Sequence, residues 1–192
     1  MPQRIGVWGD SITYGQGDYL GIGWVGRLRN SFPEDVRVYN FGVCGDTSED
    51  LLKRFTFEAN SILPDMIVFA VGTNDSKFPA KADRNKILLH NFGENIQELV
   101  AQARVFTNNI LLIGPTCADE NVKKDSGTRY LNEEMEAYSH SLHELSISQN
   151  LQFIDLFDAL SPGDLVDGIH PNADGYEKLF QRIRSELKIG AK

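Results

Sequence analysis

Apolar positions along the chain follow two rhythms. Short, nearly continuous apolar runs occur at Arg4–Trp8, Val36–Phe41, Met66–Val71, Ile110–Ile113 and Gln152–Ile154. Such runs predict strands covered on both faces, because a half-exposed strand would alternate apolar and polar positions. Between the runs the spacing changes to 3.6. Ile96, Leu99, Val100 and Ala103 form one stripe, and Leu131, Met135, Tyr138, Leu142 and Leu145 form another. Tyr176, Leu179, Phe180, Ile183 and Leu187 form the last, with charges opposite. Thr47 followed by Asp50, and Asn172, read as helix starts. The resulting β-α-β-α-β-α-β-α-β-α order predicts a three-layer α/β/α sandwich with a mostly parallel five-stranded sheet. No linker, repeat or shift in composition divides the chain, so residues 1–192 are expected to form one domain.

Composition narrows the function classes. The chain of 192 residues is 41% hydrophobic and 24% charged, which fits a folded globular protein. Its net charge of −8 disfavours binding to phosphate backbones, and no run of five or six basic residues exists, so no nucleic-acid partner is expected. The two cysteines, Cys44 and Cys117, form no C-x-x-C motif and suit a reducing compartment. The first residues show no signal-peptide pattern, and no stretch of eighteen apolar residues occurs. A cytoplasmic protein without stable membrane insertion is the expectation.

In open parallel sheets ligands bind beyond the carboxyl ends of the strands, so the residues that follow each strand carry the chemistry. These are Gly9-Asp10-Ser11-Ile12-Thr13, Asn40-Phe41-Gly42-Val43-Cys44-Gly45 and Gly72-Thr73-Asn74-Asp75, with Asp167-Gly168-Ile169-His170-Pro171 near the C-terminus. Together they supply a hydroxyl, glycine amides, a carboxamide, an acid and an imidazole. Acyl transfer needs these parts. A serine hydroxyl attacks only when a base takes its proton, and His170 is the right type of base. Asp167, three residues earlier, reaches the ring across a tight turn and can fix its tautomer. The amides of Ser11 and Gly42 and the NH₂ group of Asn74 are candidate donors to an oxyanion.

These four blocks, in this order, resemble those of the SGNH hydrolases, also called GDSL esterases. The resemblance spans residues 9 to 170, and its one departure is Ile12 where the family usually has leucine. It implies a flavodoxin-like fold with Ser11 as nucleophile, His170 as general base and then acid, and Asp167 as the residue that orients His170. It further implies an oxyanion hole of Ser11, Gly42 and Asn74, and no metal or organic cofactor. The Gly-x-Ser-x-Gly elbow of α/β-hydrolases is absent. A small carboxylic ester or thioester with a short acyl chain is the expected substrate. The alternative is a catalytically idle binding module on the same fold.

Other features read as structural. Gly21-Ile22-Gly23-Trp24-Val25-Gly26 matches Gly-x-Gly-x-x-Gly but follows no predicted strand directly, so it reads as a loop entering a helix rather than a dinucleotide site. His140 and His143 share a predicted helix without an evident third metal ligand. Asn74-Asp75-Ser76 is formally a glycosylation sequon, but modification there would block the proposed hole. Cys44 reads as a small thiol without a histidine partner. The polar stretch Thr116–Tyr130, together with Phe78-Pro79, is expected to wall the substrate pocket.

Overall fold

The computed structural model describes residues 3–188. Strand β1 (Gln3–Gly9) leads through the one-turn helix α1 (Ser11–Tyr14) and α2 (Gly23–Asn30) to β2 (Val36–Gly42). Helix α3 (Ser48–Ile62) returns the chain to β3 (Met66–Ala70). A second one-turn helix, α4 (Thr73–Ser76), and the long α5 (Leu89–Ala103) precede β4 (Ile110–Ile113). Helix α6 (Asn132–Gln149), β5 (Gln152–Ile154) and α7 (Ala173–Glu186) complete the order. The five strands form one parallel sheet in the order β2-β1-β3-β4-β5. All five sequence-predicted strands are present, with ends displaced by one residue in the first three.

The continuous apolar runs have a direct explanation in this sheet, because alternate residues of each strand enter different cores. Ile5, Val7, Met66, Val68, Leu111 and Ile113 face one layer, with Trp24 and Leu28 of α2 and Tyr176, Leu179 and Ile183 of α7. Trp8, Ile67, Phe69, Ile110 and Leu112 face the other, with Leu51 and Phe55 of α3, Ile96 of α5 and Tyr138 of α6. The inner strands β1, β3 and β4 therefore have no solvent face. The helices are specified by caps as well as stripes. Thr47 and Asp50 exchange side-chain and backbone bonds in a capping box at the start of α3, and Asn172 accepts the Gly175 amide at the start of α7. Among the described residues no helix is long and apolar enough to cross a membrane.

Strand order determines where the site lies. β1 sits between β2 and β3, so the chain leaves β1 toward one side of the sheet and later returns on the other. The loops after β1 and β3 separate at this switch point and leave a crevice at the carboxyl edge.

Candidate active site

Ser11 opens the one-turn helix α1, immediately after β1. Asp10 caps that helix by accepting the Ile12 amide at 2.9 Å, and Gly15, with φ of 104°, ends it after four residues. The turn presents the serine hydroxyl at the sheet edge while keeping the residue 7% exposed. Ser11 Oγ lies 2.9 Å from His170 Nε2. On the other side of the ring, His170 Nδ1 lies 2.9 Å from Asp167 Oδ2.

The Asp167–His170 turn is built locally. Asp167 Oδ1 accepts the backbone amides of Ile169 and His170, at 3.2 and 2.9 Å. Gly168 adopts φ of 84°, which a residue with a Cβ disfavours, and an added Cβ would also strike Val122. Lys124 donates to Asp167 Oδ2 at 3.0 Å and to its carbonyl oxygen at 2.6 Å. Burial would raise the Asp167 pKa, but the His170 amide and ring and the Lys124 ammonium outweigh it and hold the carboxyl well below the usual range. The carboxylate thus accepts the Nδ1 proton, which leaves Nε2 as the acceptor facing Ser11.

Asn74 follows β3 on α4 and is 4% exposed. Its Oδ1 accepts from Lys77 Nζ at 2.7 Å, and its Nδ2 donates to the Asp46 carbonyl at 3.1 Å. One Nδ2 hydrogen is left over. The Ser11 amide, at the first position of its helix, also has no protein acceptor among the described residues.

Gly42 departs from the sequence expectation. Its amide is not open to a substrate, because it donates to Asn40 Oδ1 at 2.9 Å. The same carboxamide donates from Nδ2 to the Thr13 carbonyl at 2.9 Å, which ties the end of β2 to α1. A Cβ on Gly42 would lie 2.3 Å from the Tyr14 nitrogen, so glycine is needed here for backbone packing. Three residues on, Gly45 has φ of 88°, open space beside it, and an amide with no partner among the described residues. Gly45 is not among the donors expected from the sequence. The Asn40-x-Gly42 spacing, suited to an asparagine side chain that accepts the amide two residues on, was the available signal.

A guanidinium holds this loop against the strand ends. Arg54 of α3 donates to the Phe41 carbonyl at 2.8 Å, the Gly9 carbonyl at 3.2 Å and Asp46 Oδ2 at 2.8 Å. Two buried carboxyls lie beneath. Burial, with a contribution from Asp75, pushes Asp10 up to about 7, and burial raises Asp75 to about 6. Cys44 has its thiol raised by desolvation and by Asp10, which is unfavourable for a thiolate nucleophile.

The segment after β4 stands beside the histidine. A cavity of about 370 Å³ lies within it, lined among others by Glu120, Val122, Lys124, Thr128, Tyr130 and Gly168. Phe78 bridges to Arg129 across this wall through paired backbone bonds. The remaining motifs lie elsewhere. Gly23 starts α2 with its amide on Asp18, and α1 and a loop separate it from β1. His140 pairs with Glu144, and His143 stacks on Phe153.

Fold and constellation together define the class, a carboxylic ester hydrolase. The chain belongs to the GDSL-like lipase/acylhydrolase family, whose family model matches residues 7–178. It is 25% identical to an acetylxylan esterase of Geobacillus stearothermophilus over 93% of this chain and 91% of that protein. It is also 25% identical to the esterase TesA of Pseudomonas aeruginosa, over 97% of this chain and 88% of that one. The crystal structure of a lipase/acylhydrolase from Enterococcus faecalis superposes with a TM-score of 0.77 at 29% identity, covering 99% of this chain and 100% of the other.

Proposed function

We propose that residues 1–192 act as one acylhydrolase domain that cleaves small esters or thioesters through an acyl-Ser11 intermediate. The observation that carries this reading is the unbroken relay from Ser11 Oγ through His170 to Asp167, with both contacts at 2.9 Å. Ser11 Oγ attacks the ester carbonyl as Nε2 takes its proton. The oxyanion is held by the Ser11 amide and Asn74 Nδ2. Gly45 supplies the third donor in place of Gly42, whose amide is committed to Asn40. The tetrahedral species collapses, and the imidazolium returns the proton to the leaving alcohol or thiol. Water then attacks the acyl-serine with Nε2 again as base, releasing the acid and free Ser11.

The leaving group occupies the cavity beside Gly168. Its wall mixes Glu120, Lys124 and Thr128 with Val122 and Tyr130, which offers hydrogen-bonding and apolar contacts together, as the ring of a sugar requires. A short acyl group such as acetyl agrees with the relative named as an acetylxylan esterase. The test is hydrolysis of p-nitrophenyl esters from acetate to dodecanoate by wild type and Ser11→Ala. Wild type is expected to cleave the short esters, and the variant to lose at least about a hundredfold. A folded wild type that cleaves none of them and resists a serine-reactive phosphonate is instead a binding module.

A further inference from the structure

Lys77 takes an unusual partner. It is half-buried, directly after α4, with extended backbone (φ −66°, ψ 148°) that carries its side chain back toward the helix. Desolvation, with Lys86, pushes its pKa down against the smaller opposing pull of two buried carboxyls, Asp10 and Asp75. Yet the ammonium makes no ion pair among the described residues, and its one hydrogen bond is to the neutral Oδ1 of Asn74, at 2.7 Å. A half-buried cation directed at an amide oxygen fixes which end of that amide faces which way. The reverse orientation would set an NH₂ group against the ammonium and turn Oδ1 toward the crevice, where a developing oxyanion would be repelled. The cation also draws electron density toward Oδ1, which makes the Nδ2 hydrogens stronger donors.

We propose that Lys77 is a positioning residue of the oxyanion site, locking and polarising the Asn74 carboxamide so that its free Nδ2 hydrogen points at the reacting carbonyl oxygen. This rests on the reading of Asn74 as an oxyanion donor. The two are separable because Lys77 acts only through Asn74. The interaction is worth more in the transition state, where the oxygen is charged, than in the ground state. Its loss therefore falls on kcat and leaves KM nearly unchanged.

The experiment is a double-mutant cycle on p-nitrophenyl acetate with Lys77→Met, Asn74→Ala, the pair, and Lys77→Arg, each checked for its melting temperature. K77M is expected to lower kcat about tenfold with KM within about twofold, and N74A to lower kcat at least about a hundredfold. Adding K77M to N74A is expected to cost less than about twofold further, because the group it serves is gone. K77R, which keeps charge and donor, is expected to stay within about threefold of wild type. Should K77M lose the native fold, Lys77→Gln takes its place in the cycle. Unchanged kcat in K77M, or the same loss in the N74A background as in wild type, overturns the role of Lys77. Unchanged kcat in N74A overturns the reading of Asn74 itself, and the proposal with it.

Discussion

Replacing Asp75 by asparagine should change how stability depends on pH. The Asp75 side chain is fully buried. Its Oδ1 accepts both the amide and the hydroxyl of Ser48, at 2.9 and 2.6 Å, while Oδ2 has no partner among the described residues. Burial therefore outweighs the Ser48 bonds and raises the group from 3.8 to about 6. The folded chain then binds this proton more tightly than the unfolded chain does. Stability falls as pH rises through the interval between the two values, the opposite of the usual carboxylate. Linkage with these values gives a loss of about 1.4 kcal/mol between pH 5 and pH 8 from this one group. Asparagine keeps the acceptor for Ser48 and does not titrate. Its unpartnered NH₂ costs about 1–3 kcal/mol, but equally at every pH. Urea unfolding of wild type and D75N at pH 5 and pH 8 isolates the slope from that constant. The difference between the two proteins should shift by about 1.4 kcal/mol in favour of D75N at the higher pH. Asp10, raised to about 7 partly by Asp75, adds a smaller shift of the same sign. Parallel profiles would refute the reasoning.

Two further outcomes follow from the site. Asp167→Asn should lower kcat by about 10³–10⁴ without loss of fold, because an amide NH₂ facing Nδ1 stabilises the tautomer whose Nε2 already carries a proton. Steady-state kinetics beside circular dichroism check it, and activity within tenfold of wild type would contradict the role given to Asp167. Gly42→Ala should lower both stability and activity. The new Cβ would meet the Tyr14 nitrogen at 2.3 Å and the Thr13 carbonyl carbon at 2.7 Å, backbone atoms of the helix that presents Ser11. An overpacking cost of about 1–3 kcal/mol in unfolding free energy is expected.

The sequence was most informative where burial is two-sided or geometry is local. Met66–Ala70 and Ile110–Ile113 were legible as strands because both faces of each are covered, which leaves no polar alternation. The Asp167–His170 relationship was legible because the turn is closed by the aspartate itself. The one-turn helices α1 and α4 were not, since four residues contain no period. That the Gly42 amide is taken by a side chain was not legible, because a glycine in a block says nothing about whether its N–H is free. Lys77 and the buried state of Asp10 and Asp75 were hidden for another reason. Each depends on what other segments stack over the residue, such as Ser48 on Asp75, 27 positions away.

Ser11 and His170, which share a hydrogen bond, are separated by 159 positions in the chain. Between them the exposed stretch around Ala80–Arg84 links the half of the sheet that ends in β3 to the half that begins with β4. A cut there would leave Ser11 and Asn74 on one fragment and Asp167 and His170 on the other, joined across the β3–β4 ladder, the Phe78–Arg129 bridge and the flanking helices. Neither fragment would hold a working relay. Turnover would return only as the two reassociate, which makes this architecture a ready scaffold for fragment complementation, with ester hydrolysis as an amplified signal of contact between whatever is fused to the halves.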